Sequence, residues 1–380
     1  MHPSQPSRIA LYARVFYGGG VERVLVNLMK GFLQRGFQVD LVLNTPGGPY
    51  TSQIPPEVRL IDLDAPRMAN GLPKLIRYLR QEKPQILLAS QHYTNEIAIA
   101  AKLLSGAPTR VFVSEHNAFP RGKLHQTPAK WAAIAARLTY PFADGVIAVS
   151  QGVAHDLATM TGFPQSDIKT IYNPIITPAL YDKAKAPLDH PWFQPEEPPI
   201  VLGIGRLMPQ KDFPTLLSAF AKVRQVQPAR LVILGNGREQ DALQALAQDL
   251  GIAADVALLG FVENPFAYLK HANVFVLSSA WEGLGNVLVE ALALQVPIVS
   301  TDCEFGPAEV LDHGQYGTLV SVGDSDAIAE AVLATLRDRP APADSQWLNK
   351  FTLELVTQQY LEAFGLAEEE SFFHLIADSV

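Results

Sequence analysis

Two glutamates separated by seven residues stand in the segment WEGLGNVLVEAL, with Glu282 before a glycine-rich turn and Glu290 after it. Gly283 and Gly285 disfavour helix directly after Glu282, whereas NVLVEALAL favours one, so free backbone N–H groups should collect at a helix N-terminus. Such an N-terminus suits a phosphate group. Either glutamate alone could be an ordinary solvated residue, but together with the turn they predict a site for a phosphorylated sugar or nucleotide.

Two cations follow the first predicted strand of the second half of the chain. The segment GIGRLMPQKDF contains Arg206 and Lys211, which at a strand end could offset the charge of a pyrophosphate without a metal ion. The alternative is a pair of surface charges on a loop. Further along, LGNGREQ places Asn236 in a glycine turn, and GFVENP places Phe261 and Val262 before a helix, where Phe261 could equally be part of the core.

The first half of the chain has its own candidates at predicted strand ends. In YGGGVERVL, Gly18 and Gly19 lie between a strand and a helix, where glycine permits close backbone approach and the helix end favours negative charge. A bare strand-to-helix turn is the alternative. His92 and His116 also follow strands, and each could hydrogen-bond a hydroxyl, although a lone histidine is usually structural.

The elements that position these residues alternate between short apolar runs and amphipathic helices. Strands are predicted in both halves of the chain: RIALYAR, FQVDLVLN, VRLIDLD, PQILLAS, RVFVSE and DGVIAVS, then PIVLGIG, ARLVILG, DVALLG, NVFVLSS and PIVST. The stretch VERVLVNLMKGFLQRG has helical periodicity and should end at Gly36. Such alternation predicts an α/β protein with two doubly wound parallel sheets, joined by a linker at about 173–199, and ligands at the carboxyl ends of the strands.

The length of the chain and the distribution of its charge are consistent with two domains, the first basic and the second acidic. A chain of 380 residues exceeds what one hydrophobic core usually organises. Residues 1–190 hold 20 Lys and Arg against 13 Asp and Glu, a net of +7, and the remainder holds 10 against 25, a net of −15. This asymmetry suggests that the first half meets an anionic partner, either lipid headgroups or phosphates.

Two basic stretches of the first half carry that charge. RGKLHQTPAKWAAIAARLTYPF combines cations with apolar and aromatic residues, and LPKLIRYLRQEK adds a second basic face. Both could lie on an anionic leaflet, or be helices with solvated charges. The chain has no apolar run long enough to span a bilayer and no recognisable leader, so we expect a cytoplasmic protein. The single cysteine, Cys303, and the lack of Cys/His clusters predict no metal site.

The paired glutamates, the glycines between them and the flanking strands resemble the retaining family-4 glycosyltransferases. The resemblance is dense from residue 200 to residue 322 and sparser before. It implies the GT-B fold, in which two Rossmann-like domains face each other across a cleft. The expected domains are an acceptor-side domain at 1–180, a nucleotide-sugar domain at 190–345, and a C-terminal helix at about 345–365 that packs back on the first domain.

The resemblance also implies a role for each candidate residue. Glu282 contacts the donor sugar, Glu290 the ribose and His116 the acceptor side, while Arg206 and Lys211 bind the diphosphate. The remaining donor-binding residues are Gly18, Gly19, Asn236, Phe261, Val262, Gly283, Leu284, Gly285, Asn286 and Val287. No cofactor or metal is implied beyond a nucleotide sugar as co-substrate, with a UDP-sugar favoured. The acceptor would be a glycan or a lipid-linked molecule, and nucleic acid is not expected.

Two positions depart from the family pattern. Gly285 stands where relatives often have proline, and Gln295 replaces a frequent glycine at a helix-to-strand corner. Three other functions remain open: an inverting GT-B transferase, a sugar-nucleotide epimerase, and an inactive nucleotide-sugar-binding scaffold subunit. The paired glutamates argue against the first two. The presence of Glu282, Arg206 and Lys211 argues against the third.

Overall fold

Two compact units make up the chain in the computed structural model, which describes residues 7–16, 19–48, 50–118 and 128–367. The first unit comprises residues up to 149, Ala154–Pro174 and the chain from Leu353 onward. The second comprises Ser150–Val153 and Ile175–Thr352. Each unit is built on its own β-sheet.

The first unit contains a seven-stranded parallel sheet in the order β3-β2-β1-β4-β5-β6-β7. Its strands are β1 (Arg8–Ala13), β2 (Gln38–Leu43), β3 (Arg59–Asp62), β4 (Ile86–Ser90), β5 (Arg110–Glu115), β6 (Gly145–Ala148) and β7 (Ile168–Thr170). Central strands such as β4 are buried along their whole length, as expected for a parallel sheet covered on both faces. The strand order reverses between β1 and β4, which marks a ligand-binding position in sheets of this kind.

Helices connect these strands as crossovers. They are α1 (Gly20–Gln34), α2 (Met68–Glu82), α3 (His92–Ser105), α4 (Pro128–Thr139) and α5 (Gln151–Thr161). The amphipathic helix predicted after the first strand is confirmed as α1, with Val24, Leu25, Leu28 and Phe32 buried. Gly36, which follows it, has a φ of +80° and ends the helix in the left-handed region.

The second unit repeats this architecture with a six-stranded parallel sheet in the order β10-β9-β8-β11-β12-β13. Its strands are β8 (Ile200–Ile204), β9 (Arg230–Leu234), β10 (Val256–Gly260), β11 (Val274–Leu277), β12 (Ile298–Thr301) and β13 (Thr318–Val320). Its helices are α6 (Pro178–Ala184), α7 (Phe213–Val226), α8 (Gln240–Asp249), α9 (Pro265–His271), α10 (Asn286–Ala293), α11 (Pro307–Val310), α12 (Ser325–Arg337) and α13 (Ser345–Asn349). Two doubly wound Rossmann-like domains are therefore present, as the alternating pattern predicts.

The C-terminal helix differs from the continuous element expected at about 345–365. α13 belongs to the second unit, and α14 (Leu353–Ala363) belongs to the first, where Phe32 of α1 packs against Tyr360 at 6.5 Å between ring centroids. The break has a tertiary cause. The carbonyl of Phe351 accepts hydrogen bonds from the backbone N–H groups of Ile175 and Ile176, both at 3.0 Å, which holds the chain out of helical conformation.

The corner after α10 is made by a non-glycine residue, as the sequence requires. Gln295 has a φ of +58°, a left-handed conformation that costs an L-residue about 1 kcal/mol or more. Its carbonyl accepts a hydrogen bond from Arg339 at 2.8 Å, and the neighbouring carbonyl of Leu294 accepts one from Lys270 at 3.3 Å. These two side-chain hydrogen bonds help to hold Gln295 in this conformation.

Candidate functional site

The glycine turn before α10 is formed as the sequence predicts. Gly285 caps this helix with φ +81° and ψ +58°, a left-handed conformation that glycine adopts without strain. Proline has a φ near −65° and could not take this conformation. Asn286, Val287 and the rest of α10 follow, so the first N–H groups of an eight-residue helix lie directly after Gly283 and Leu284.

Glu282 and Lys211 meet at the carboxyl edge of the second sheet. Lys211 Nζ lies 2.5 Å from Glu282 Oε1, and Ser279 Oγ donates to the same oxygen at 2.6 Å. Both members of the ion pair are largely buried, with side-chain exposures of 15% and 8%. The structure thus brings a predicted phosphate-binding cation and a predicted sugar-binding carboxylate into direct contact.

Gly205, in the loop after β8, lies against the side chain of Lys211. A Cβ at Gly205 would lie 2.9 to 3.0 Å from three carbons of the Lys211 side chain, so the lysine stem lies across the Gly205 backbone. The main chain joins this loop to the one after β11, because Ala280 N–H donates to Gln210 O at 2.8 Å. Arg206, in contrast, is exposed to solvent. Of the two cations, Lys211 is therefore the one held by a buried ion pair.

Glu290 is buried in the second turn of α10, with 1% of its surface exposed. It is therefore not a solvated helix residue. A charged carboxylate is rarely enclosed in this way without a binding or pairing role. Cys303 is also buried, and burial together with the charge of Glu282 raises the pKa of its thiol to about 12. The thiol stays protonated, which agrees with a packed rather than nucleophilic cysteine.

The loops after β9 and β10 are tied together by Asn236. Its Oδ1 accepts the Phe261 N–H at 2.9 Å, and a Cβ at the neighbouring Gly260 would lie 2.9 Å from the same oxygen. The ring of Phe261 is 49% exposed, so it is not part of the core. The exposed Phe261 side chain is therefore accessible to a planar base.

In the first unit, His116 follows β5 and is buried. Its Nε2 lies 3.1 Å from Ser114 Oγ, and its Nδ1 has no hydrogen-bond partner among the described residues. Burial lowers the pKa of His116 to about 4, so the ring is neutral at neutral pH. A neutral imidazole can accept or donate one hydrogen bond from Nδ1 to a hydroxyl.

His92 belongs to a buried network centred on Glu115. Its Nδ1 lies 2.8 Å from Glu115 Oε1, which also accepts from Asn95 Nδ2 at 2.9 Å and from the Tyr140 hydroxyl. Burial lowers the pKa of His92, but the charge and hydrogen bond of Glu115 outweigh it and the net pKa is raised. Tyr140 is one of the aromatic residues of the basic stretch RGKLHQTPAKWAAIAARLTYPF, which could have formed a surface. It is instead buried, and its hydroxyl donates a hydrogen bond to Glu115.

Gly19 precedes α1 in extended backbone, with φ −164° and ψ 180°. A Cβ there would lie 2.8 Å from Glu22 Oε2, so the start of this helix accommodates only glycine without a shift of Glu22. Gly18 lies outside the described residues, as do Arg121 and Lys123, two cations of the basic stretch RGKLHQTPAKWAAIAARLTYPF.

Two supporting residues were not found from the sequence. Ser279 orients Glu282, and Glu115 organises the network of His92, but serine and a strand-terminal glutamate carry no signal of their own before the strands are assembled. Among the residues described, no group of three or more His, Cys, Asp or Glu side chains could hold a metal ion. Also within that part of the chain, no helix is both long and apolar enough to cross a bilayer.

Two Rossmann-like domains, each built on a doubly wound parallel sheet, define a protein of the GT-B fold class. Comparison with known proteins agrees. Residues 18–177 match the family model described as Glycosyltransferase Family 4, and residues 187–347 match the model described as Glycosyl transferases group 1. The chain belongs to the family-4 glycosyltransferases and is a transferase of sugar moieties.

Full-length relatives support this assignment. The lipopolysaccharide core biosynthesis glycosyltransferase LpsE of Rhizobium meliloti is 29% identical, over 90% of this chain and 95% of its own length. A Campylobacter jejuni enzyme, N-acetylgalactosamine-N,N'-diacetylbacillosaminyl-diphospho-undecaprenol 4-alpha-N-acetylgalactosaminyltransferase, is 27% identical over 87% of this chain and 90% of its own. Among solved structures, Anabaena HepE in complex with UDP and glucose has a TM-score of 0.77 at 21% identity, covering 94% of this chain and 99% of HepE.

Proposed function

We propose that the protein transfers a sugar from a nucleotide diphosphate donor, with retention of anomeric configuration, to a glycan or lipid-linked acceptor. The observation that carries this proposal is the buried contact of Lys211 with Glu282 beside the glycine turn that caps α10. A UDP-sugar is the favoured donor, since the HepE structure holds UDP and glucose. The names of the LpsE and Campylobacter relatives point to cell-surface polysaccharide or glycolipid assembly.

In this reaction the diphosphate leaves with added negative charge. Lys211, Arg206 and the amides after Gly283 stabilise it, and a fixed cation in a poorly hydrated site is worth far more than one in water. No metal ion or cofactor is required, because these groups neutralise the diphosphate directly. The exposed edge at Phe261 and Val262, braced by Asn236, receives the base.

Three further side chains hold the sugars. Glu290 binds the ribose hydroxyls, Glu282 binds the donor sugar, and the neutral ring of His116 binds on the acceptor side. The bond between the anomeric carbon and the phosphate oxygen breaks, and the acceptor oxygen forms its bond on the same face. The acceptor proton passes to the leaving phosphate, so no side chain has to act as the base.

A screen of UDP-, GDP- and ADP-sugars by thermal shift, followed by product analysis, tests the proposal. We expect one nucleotide class to raise the melting temperature, because a ligand that binds only the folded state stabilises it. The product anomer, read by NMR, should match that of the donor. An inverted product would identify the inverting alternative, and an altered sugar nucleotide without transfer would identify an epimerase. Stabilisation without turnover on any acceptor would indicate an inactive binding subunit.

We also propose that the protein acts at the cytoplasmic face of a membrane, through the face of the first sheet that α2, α3 and α4 cover. Arg80 of α2 donates to the Leu104 carbonyl at 2.9 Å, and Lys102 of α3 donates to the Phe142 carbonyl at 3.1 Å. Phe142 belongs to the turn after α4, and α3 is in contact with both α2 and α4. Arg77 and Arg137 are exposed.

α3, α4 and the turn after α4 also expose large apolar side chains. Six are 47% to 66% exposed: Tyr93, Leu103, Leu104, Ile134, Leu138 and Phe142. Apolar clusters of this kind seldom face water without a partner. Apolar residues set among basic ones, on a domain of net positive charge, fit the interface of an anionic bilayer.

Sedimentation with lipid vesicles tests the membrane contact. The protein should sediment with phosphatidylcholine vesicles that contain phosphatidylglycerol and not with phosphatidylcholine alone. The double variant Leu104→Ser/Leu138→Ser should lower the partition coefficient by about tenfold or more, since burying each leucine contributes about 1.5–3 kcal/mol. The control is Val226→Ser/Val322→Ser, which removes two exposed apolar residues from the second unit. Equal loss in both double variants, or no sedimentation of the wild type, contradicts the proposed surface.

A further inference from the structure

Ser150 contacts the backbone of the glycine turn, although it is far from that turn in sequence. It follows β6, belongs to the second unit and is fully buried. Its Oγ donates a hydrogen bond to the Gly283 carbonyl at 2.8 Å and accepts one from Val153 N–H at 3.1 Å. The same hydroxyl therefore caps the start of α5 and holds one peptide of the turn.

That peptide contains one of the amides proposed to bind the donor phosphate. A trans peptide unit is planar, and its C=O and N–H groups point in opposite directions. When Ser150 holds the Gly283 carbonyl, it therefore also fixes the direction of the Leu284 N–H. Glycine before this peptide leaves its rotation otherwise weakly restricted, so an outside contact is needed to select one orientation.

The next peptide of the turn is confined by packing. A Cβ at Gly306 would lie 2.6 Å from the Leu284 carbonyl oxygen, so the chain at Gly306 lies directly against the Leu284 backbone. Two neighbouring peptides of the turn thus have separate supports. One is a hydrogen bond from Ser150, and the other is close contact with Gly306.

Ser150 is itself held in place by residues around it. Glu309 accepts hydrogen bonds from the backbone N–H groups of Gln151 at 2.8 Å and Gly152 at 3.3 Å. A Cβ at Gly152 would lie 2.5 Å from Phe305 Cδ1, so this backbone packs directly on the Phe305 ring. These contacts fix the chain on the C-terminal side of Ser150, and the hydroxyl presents a rigid donor to the turn.

We infer that Ser150 is a positioning residue that orients the Leu284 amide toward the diphosphate of the donor. The inference rests on the proposed function, because it assumes that the turn binds phosphate. It assigns Ser150 no contact with substrate. Its effect is to keep the phosphate-binding amides in one arrangement before the donor arrives, which lowers the cost of ordering them on binding.

Two variants of Ser150 distinguish the orientation of the Leu284 amide from the capping of α5. Ser150→Ala and Ser150→Gly both remove the hydrogen bond to Gly283, and both should raise the Kd for UDP and the donor KM by about three- to tenfold, the effect typical of one hydrogen bond. The acceptor KM should stay unchanged. Calorimetric titration with UDP and initial-rate kinetics give these values. The melting temperature should fall less for Ser150→Gly, because glycine is a better N-cap than alanine.

Thr177→Ala is the matched control, since Thr177 is buried, lies in the same unit and caps α6 by accepting the Leu180 N–H at 3.2 Å. It should lose stability without a change in the Kd for UDP. If Ser150→Gly binds UDP as tightly as the wild type, or if Thr177→Ala weakens UDP binding equally, the inference is wrong. A wild type that binds no nucleotide would instead overturn the proposed function, and the inference with it.

Discussion

Replacing Lys211 by methionine is expected to lower kcat/KM for the nucleotide sugar by about 100- to 1,000-fold, the range seen when one preorganised charge-stabilising group is removed. Lys211 Nζ is held 2.5 Å from Glu282 in a largely buried site, so solvent cannot replace its charge. Methionine keeps an aliphatic stem over Gly205 and removes only the cation. Steady-state kinetics with the donor varied at saturating acceptor measure the change.

A second lysine of the same unit provides the control. Lys222 of α7 forms an ion pair with Asp326 of α12 at 2.6 Å and donates to Ser325 at 2.8 Å, away from the glycine turn in sequence and more exposed. Lys222→Met should leave kcat/KM close to the wild-type value. If the two variants behave alike, Lys211 does not stabilise the leaving diphosphate, and the cation must come from elsewhere.

Glu282→Gln is expected to change turnover and product affinity in opposite directions. The carboxylate that contacts the sugar is lost, so kcat should fall by about 100-fold. UDP lacks the transferred sugar that Glu282 is proposed to bind, so it meets only the negative charge of this carboxylate, which also neutralises Lys211 in the free protein. Removing that charge should tighten UDP binding by about three- to tenfold, the size of a partly screened Coulomb interaction. Calorimetric titration and single-turnover rates measure the two effects.

The matched control for this variant is Glu330→Gln, the same chemical change at an exposed position of α12. It should alter neither kcat nor UDP affinity. Weaker UDP binding by Glu282→Gln would contradict the proposed contact, because it would mean that the carboxylate assists the diphosphate rather than opposing it. Unchanged turnover would remove Glu282 from the sugar site.

Regular elements with strong apolar patterning could be predicted from the sequence to within a few residues. The strand predicted from RVFVSE is β5 without change, and the helix after the first strand ends where Gly36 requires. β7 and β13 were missed, because each has only three residues and little buried apolar surface. Strands that short have no periodicity to detect, and only pairing with β6 and β12 defines them.

The residues of the candidate site could be predicted from the sequence, but the contacts between them could not. Gly283 and Gly285, with a glutamate on either side, predict a turn at the start of a helix. This prediction is possible because the conformational preferences of glycine and of helix-forming residues are local. The ion pair of Lys211 with Glu282 joins residues 71 positions apart, and the bond from Ser150 to Gly283 joins residues 133 apart. Such pairs depend on which strands become neighbours, which no local pattern encodes.

The return of α14 to the first unit affects the order in which the protein can fold during synthesis. Phe364 lies 4.7 Å from Phe112 and 6.0 Å from Phe32 between ring centroids, so residues near the end of the chain complete the core of the unit that is translated first. Domains usually fold as they leave the ribosome, the N-terminal one first. Here the aromatic contacts of Phe32 and Phe112 with Phe364 can form only after the second unit has been translated, when α14 and the residues that follow it emerge.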